Sequence, residues 1–405
     1  MTQNTIEIQG VDLQDLALKY GTPLYVYDGR KISDQYRRFT SAFSVKQLKV
    51  YYACKALANI NILRHVRSLG AGLDAVSLNE VRLGLHAGFN PEEIIFTPNM
   101  IPYETLDAAM DLGVQINIGS LDLLEYSGQK YPDHPVCIRI NPHIMAGGNK
   151  KIATGHIDSK FGISIHQLPL AHRIVETLGM KVAGIHMHNG SDILDAEVFM
   201  TAANILFEAA KGFSKDLEYL DFGSGFKVKY FASDIETDIE GLGPRMSQRF
   251  NEFCNEIDKD LSLCFEPGKF LVSDAGNFLC QVNQVKQTTS TVFLGLNAGF
   301  NDLIRPMLYD AYHEIINISS ISDKSRIYTV VGHICETDTF GINRRMKEAK
   351  PGDIICIKNA GAYCFEMGSS YNANFRPAEV FINNGKDQLI RKRGCFDDLL
   401  RNQLL

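Results

Sequence analysis

Lys55 sits in an apolar run, Val50-Tyr51-Tyr52-Ala53-Cys54-Lys55-Ala56, whose aromatic and β-branched residues read as a buried strand. Alternation puts Tyr51, Ala53 and Lys55 on one face and Val50, Tyr52, Cys54 and Ala56 on the other. Both faces are largely apolar, which suits a parallel strand covered on both sides. An ammonium buried there without a partner would cost about 3–5 kcal/mol. Such a lysine pairs with a carboxylate, snorkels to the surface, or gives up its proton. The last outcome makes it a nucleophile toward carbonyl carbon. Taken alone, Lys55 is accounted for by pairing or snorkelling.

Other stretches carry groups that could work beside it. Glu266-Pro267-Gly268-Lys269 offers a buried glutamate in need of a partner, and a protonated ring nitrogen would serve. His186-Met187-His188-Asn189-Gly190-Ser191 ends a strand with two histidines pointing the same way. No third ligand follows at a zinc-like spacing, so no metal is expected. A packed histidine is one reading, and a flat ring beside an anion-binding turn is the other. Asp221-Phe222-Gly223-Ser224-Gly225 is a Gly-x-Gly turn that could bring backbone N–H groups close to phosphate, or could simply be tight. It lacks the third glycine of a dinucleotide site. Cys335, in Gly332-His333-Ile334-Cys335-Glu336-Thr337-Asp338, lies among polar groups at a strand end, where a thiol can act as an acid. Arg305, four residues before Tyr309, offers a fork for a carboxylate, and Tyr363 a phenol.

The elements that must position these groups alternate. From the Lys55 strand onward, strands at 72–76, 94–97, 115–118, 136–140, 181–186, 219–222 and 263–266 are separated by segments of helical periodicity. Such βα units mean a parallel sheet, and about eight of them close a barrel. The polar residues Lys55, Asp74, His186, His188 and Glu266 recur at strand ends, where the active sites of such barrels gather. An open, doubly wound sheet is the alternative. After Pro267 the pattern turns to strands without regular helices. The expectation is therefore an α/β chain: a (β/α)8 barrel over residues 28–272, and a mostly β domain over 273–405 that residues 1–27 join. A glycine-containing loop, Asn141 to Phe161, interrupts the alternation, and its glycines suggest mobility.

Bulk composition narrows the function classes. At 405 residues the chain suits two domains, and 45% hydrophobic with 22% charged residues is globular. A net charge of −6 gives no case for nucleic acid or an anionic membrane. No apolar run is long enough to span a bilayer, and no signal peptide is evident. Nine scattered cysteines, with no Cys-x-x-Cys pair, fit a reducing cytoplasm.

Together and in this order, the motifs resemble the diaminopimelate decarboxylase family, the lysine-forming branch of the alanine-racemase-like, fold-type III pyridoxal-phosphate enzymes. The resemblance runs from about Thr22 to Pro377. It is carried by Tyr52-Ala53-Cys54-Lys55-Ala56, Ser159-Lys160-Phe161-Gly162-Ile163, His186-x-His188-x-Gly190-Ser191, Asp221-Phe222-Gly223-x-Gly225, Glu266-Pro267-Gly268, Leu303-Ile304-Arg305-Pro306, Cys335-Glu336-x-Asp338 and Gly361-Ala362-Tyr363. It implies pyridoxal 5'-phosphate held covalently by Lys55, with Asp74 orienting that amine, His188 on the ring and Glu266 at the ring nitrogen. Ser191, the backbone around Gly223, Gly225 and Gly268, and Tyr363 would hold the phosphate. Arg305 and Tyr309 would take the substrate's distal carboxylate and Glu336 its ammonium, with Lys269 and Tyr363 also contacting the substrate. Cys335 would donate a proton from the partner subunit of a homodimer with shared sites. The family commonly has arginine where this chain has Lys269, so a planar two-pronged grip on the substrate is missing there. Sister decarboxylases of carboxynorspermidine, arginine or ornithine share the cofactor site and remain the alternative. A racemase would need a second base, often a tyrosine, in place of Cys335, and a non-catalytic carrier could shed Cys335 and Arg305.

Overall fold

A computed structural model describes residues 6–144 and 158–404. Residues 145–157, the middle of the glycine-containing loop, lie outside the described residues. The chain divides into two compact units: Gln35–Val228 with Ile235–Phe270, and Met1–Asp34 with Lys229–Asp234 and Leu271–Leu405.

The first unit is a closed barrel of eight parallel strands: β1 (Leu48–Ala53), β2 (Gly72–Ala75), β3 (Ile94–Phe96), β4 (Gln115–Ile118), β5 (Val136–Asn141), β6 (Val182–Met187), β7 (Tyr219–Asp221) and β8 (Ser262–Phe265). Each pairs with the next, and β8 returns to β1 through Leu263↔Leu48, Cys264↔Lys49 and Phe265↔Val50. The barrel, not the open sheet, is therefore the arrangement. Helices between the strands start at polar caps. Ser77 accepts from Glu80 N–H to begin Leu78–Ala87, and Ser120 from Leu123 N–H to begin Leu121–Lys130.

The interior explains why chemistry is confined to one end. Tyr51, Ile95, Cys137, Ala183, Tyr219 and Cys264, from β1, β3, β5, β6, β7 and β8, form one buried cluster that fills the lumen. Polar side chains crowd toward the C-terminal ends. The end of β8 is fixed by phenyl rings: Phe265 lies 4.6 Å from Phe43, 5.4 Å from Phe39 and 6.0 Å from Phe226, centroid to centroid. Pairs of this kind contribute about 0.5–1.5 kcal/mol each beyond the area they bury. They anchor the strand end just before Glu266.

The second unit is built on a sheet of order Thr339–Lys347, Ser325–Val331, Val292–Leu296, Gly276–Gln287, Leu24–Asp28, Ala378–Asn383, Lys386–Arg391. Ile354–Ile357 joins it on Gly276–Gln287, and Ile315–Asn317 on Ile354–Ile357. The N-terminal strand Leu24–Asp28 thus lies inside this sheet. Leu13 and Leu16 of the helix Leu13–Tyr20 pack with Leu24, Val26, Leu279 and Val380 in its core.

Three local differences from the sequence expectation have physical reasons. The Lys55 strand stops at Ala53, and Cys54–Ala56 turns as a 3-10 helix, so Lys55 rides on a turn rather than a strand. The sequence predicts a helix from Gly243 to Lys259 before the last barrel strand, but the helix begins at Ile239, because the Asp238 side chain caps it by accepting from Gly241 N–H. Two of the longer strands went unseen: Thr339–Lys347, whose Asn343, Arg344, Arg345 and Lys347 dilute its alternation, and the mostly exposed Lys386–Arg391.

Candidate active site

Lys55 Nζ lies 3.3 Å from Asp74 Oδ2. Asp74 follows from β2 and is 1% exposed, whereas the Lys55 side chain is 41% exposed. Burial, and then the neighbouring Glu266, raise the Asp74 carboxyl above its ordinary pKa, while Lys55 opposes the rise. The amine is therefore held at one end by a carboxylate and remains reachable at the other.

Glu266, directly after β8, is 4% exposed. Its Oε2 lies 3.2 Å from His186 Nε2, and its Oε1 meets no hydrogen-bond partner among the described residues. Burial raises its pKa, against Lys55 and Arg139. Asp221, at the end of β7, accepts from Gly223 N–H at 2.8 Å, and burial followed by Glu266 pushes its carboxyl well up. His186 is pushed well down by burial and then by Arg139, so its ring is neutral and Nε2–H donates to Glu266. Donor-type atoms of His186, Asp221 and Glu266 lie within 4.8 Å of one another, a set that a cation could also use. Arg139 of β5 is buried nearby, its guanidinium 5.0 Å from the Phe161 ring centroid, and its charge acts on Glu266, Asp74 and Asp221. The sequence reading passed over Arg139; the available signal was one guanidinium in the otherwise apolar Val136–Ile140 run.

Beside this cluster the turns after β6 and β7 interlock. Ser224 N–H donates to His188 Nδ1 at 3.2 Å, which assigns Nδ1 as the acceptor and leaves the proton of the neutral ring on Nε2. Burial, then Lys55, hold the His188 pKa well down. Gly223 has φ +60, and a β-carbon there would stand 2.6 Å from Met187 O and 2.7 Å from His188 Nδ1. Gly225 has φ +119, and a β-carbon there would meet Gly190 O at 2.1 Å. Only glycine allows either turn. Ser191 lies in the facing turn, whose Ile193 N–H donates to Gly225 O at 2.9 Å. Gly268 packs where a β-carbon would touch those of Ala53 and Ala56, each at 3.0 Å. Lys269 is 7% exposed, with its ammonium on Asp192.

The remaining candidates belong to the second unit. Arg305, 8% exposed, opens the helix Arg305–Tyr309, and its Nη2 donates to Tyr230 OH at 3.0 Å. Its guanidinium carbon is 5.9–6.0 Å from the rings of Tyr230, Tyr309 and Tyr363. Tyr363 sits at φ +59, a strained backbone for a tyrosine. Cys335 and Glu336 are exposed. Asn372 Nδ2 donates to Cys335 Sγ at 3.1 Å, and Glu336 acts on Tyr371. The loop is tied down by Asp338, whose carboxylate accepts from Phe300 N–H at 2.6 Å and Ile334 N–H at 2.9 Å.

Known proteins place this arrangement. Residues 29–273 match the family model described as pyridoxal-dependent decarboxylase, pyridoxal binding domain. A diaminopimelate decarboxylase of Methanothermobacter thermautotrophicus is 38% identical over 98% of this chain and 95% of its own length. The chain belongs to the diaminopimelate decarboxylase family. Among solved members, the M. jannaschii enzyme in complex with L-lysine has TM-score 0.91 at 28% identity, covering 100% of this chain and 97% of that one. The Helicobacter pylori enzyme, also complexed with L-lysine, has TM-score 0.87 at 30% identity, covering 96% and 98%.

The residues present fit the family's pyridoxal 5'-phosphate. Glu266 offers a buried acceptor oxygen to a protonated ring nitrogen. The positive-φ turn at Gly223 and Gly225 forms a cradle that any side chain would fill. Lys55 supplies an amine fixed by Asp74.

Proposed function

We propose that this chain decarboxylates meso-2,6-diaminopimelate to L-lysine and CO2, the last step of lysine biosynthesis by the diaminopimelate route. Membership of the diaminopimelate decarboxylase family carries the substrate assignment, and the Lys55–Asp74 pair in the same barrel mouth as the buried Glu266 supports the cofactor chemistry. When bound, pyridoxal phosphate supplies an electron sink for the pair left behind by the departing carboxylate.

The chain's own residues do the rest. Lys55 would hold the cofactor covalently through Nζ and yield it to the substrate amine, with Asp74 aiming that nitrogen. Glu266, steadied by His186, would hold a proton at the ring nitrogen. That proton makes the sink effective, and the low-dielectric surroundings strengthen the interaction. His188, neutral and fixed by Ser224 N–H, would lie against the ring. Ser191, the backbone of Gly223, Gly225 and Gly268, and the Tyr363 hydroxyl would hold the phosphate. Arg305 and Tyr309 would bind the distal carboxylate and Glu336 the distal ammonium. Cys335 would protonate the carbon that has lost CO2. Its exposure supports delivery of that proton into a partner's site, which makes the working form a homodimer. All nine cysteines are free, and no described helix is long and apolar enough to cross a membrane, which supports a cytoplasmic enzyme.

The test is a comparison of CO2 release from meso-diaminopimelate, ornithine, arginine and carboxynorspermidine. Release from diaminopimelate with L-lysine as product is expected. Release from ornithine with none from diaminopimelate would overturn the assignment.

A further inference from the structure

The departure at Lys269 has a counterpart 77 residues away in sequence. Lys269 and Asp192 form an ion pair in which the lysine side chain is 8% exposed and the aspartate 27%. Asp192 immediately follows Ser191 and sits at φ +61, in the left-handed region that aspartate visits more readily than most side chains. On the other side, Lys269 immediately follows Gly268, which packs against Ala53 and Ala56 on either side of the Lys55 turn. The Ser191 turn is also bound to the Gly225 turn, through Ile193 N–H to Gly225 O at 2.9 Å and through the close approach of Gly190 O to Gly225. One ion pair thus ties the turns at Ser191, Gly225 and Gly268 into a single body and connects that body to the segment bearing Lys55.

We infer that Asp192 and Lys269 form a charged strap across the phosphate-binding turns and act as positioning residues for the cofactor, so that Lys269 serves the cofactor cup rather than the substrate's carboxylate. The inference rests on the reading of those turns as the phosphate cup. The physical ground is that a nearly buried ammonium needs a compensating charge, and here Asp192 supplies it. A lysine is suited to this: its point charge pairs with one oxygen and asks for no planar partner.

Equilibrium dialysis of pyridoxal 5'-phosphate against cofactor-stripped protein tests it, with KM for diaminopimelate measured separately at saturating cofactor. Asp192→Asn and Lys269→Met should each weaken cofactor binding about tenfold. The double variant should be no weaker than either single one, because each change already breaks the same pair. Lys269→Arg, which keeps the pair, should restore affinity to within about threefold. KM should stay near the wild-type value in all of them. A raised KM in Lys269→Met with cofactor affinity unchanged would make Lys269 a substrate-facing residue and overturn the strap. So would losses that multiply in the double variant. Should Lys269→Met fail to fold, Asp192→Asn alone decides, since unchanged affinity there also ends the proposal. Loss of the substrate assignment would instead show as wild-type protein that binds cofactor but releases no CO2 from diaminopimelate.

Discussion

Glu266, Asp74 and Asp221 crowd three carboxyls into a space from which water is largely excluded, and burial raises the pKa of each. The cations that answer them are Lys55 and Arg139. Replacing Lys55 by alanine removes both the proposed attachment point and one of these charges. Lys55→Ala protein should lose the visible absorbance of the cofactor-linked form, and its CO2 release should fall to background; an absorbance spectrum and a turnover assay check this. Retained turnover would remove Lys55 from the mechanism. A different prediction comes from His313, fully buried behind Arg305, whose Nδ1–H donates to Lys358 O at 2.9 Å. Burial, then the Arg305 and Arg344 charges, push its pKa from 6.5 to about 3, against the Lys358 carbonyl. Below pH 6.5 the unfolded chain binds a proton that the folded chain refuses. The stability His313 contributes is therefore present above 6.5 and lost as pH falls toward 3. Between pH 7.5 and 5 the loss should be about 2 kcal/mol. His313→Gln, which does not titrate, should show a shallower fall of the urea midpoint over the same range. Equal slopes would mean that His313 titrates normally. At this scale the sequence singles out a residue where its type already implies chemistry, as with Lys55 or Cys335. Pairs such as Lys269 with Asp192 are invisible in it, because the partners meet only after the barrel closes.

The eight strands and their helices were legible because two periodicities alternate and glycines and polar caps separate them. Strand ends were less so. Cys54 and Ala56 look like strand continuation, yet the chain turns there and carries Lys55 with it. The charged edge strands of the second unit hid for a related reason: sheet pairing, not their own alternation, decides that they are strands. The glycine turns repay the closest attention. At φ +119, with Gly190 O 2.1 Å from where a β-carbon would stand, Gly225→Ala must move one turn away from the other. Strain of this kind costs about 1–3 kcal/mol. The expected result is a lower thermal midpoint together with at least about tenfold weaker cofactor binding by dialysis. Gly179→Ala offers a control: its φ is also positive, at +63, but nothing lies within 4 Å of the added carbon, and it caps the helix Leu168–Leu178, at the other end of β6 from the Ser191 turn. That variant should melt lower while binding cofactor normally. If both variants bind alike, the turn at Gly225 does not form the cup.

At the scale of the whole molecule, the residues with proposed roles fall in both units of the chain. Lys55, Asp74, His188 and Glu266 belong to the barrel; Arg305, Tyr363 and Cys335 belong to the sheet unit. Cys335 is exposed, on a loop that Asp338 and Asn372 hold in shape. If the thiol serves the partner's site, Lys55→Ala and Cys335→Ala protomers are each defective for a different reason. A Cys335→Ala homodimer should bind cofactor normally and form product slowly, and a Lys55→Ala homodimer should form none. Dissociated and reassociated in equal amounts, half of the dimers are mixed. In a two-fold symmetric dimer one of the two sites then receives both defects and the other receives neither. Activity should therefore recover to about a quarter of wild type. If Cys335 acted within its own chain, every site in the mixture would carry exactly one defect. Activity would then stay at the average of the two parents, which would sink the shared-site arrangement while leaving Lys55 and the barrel chemistry in place.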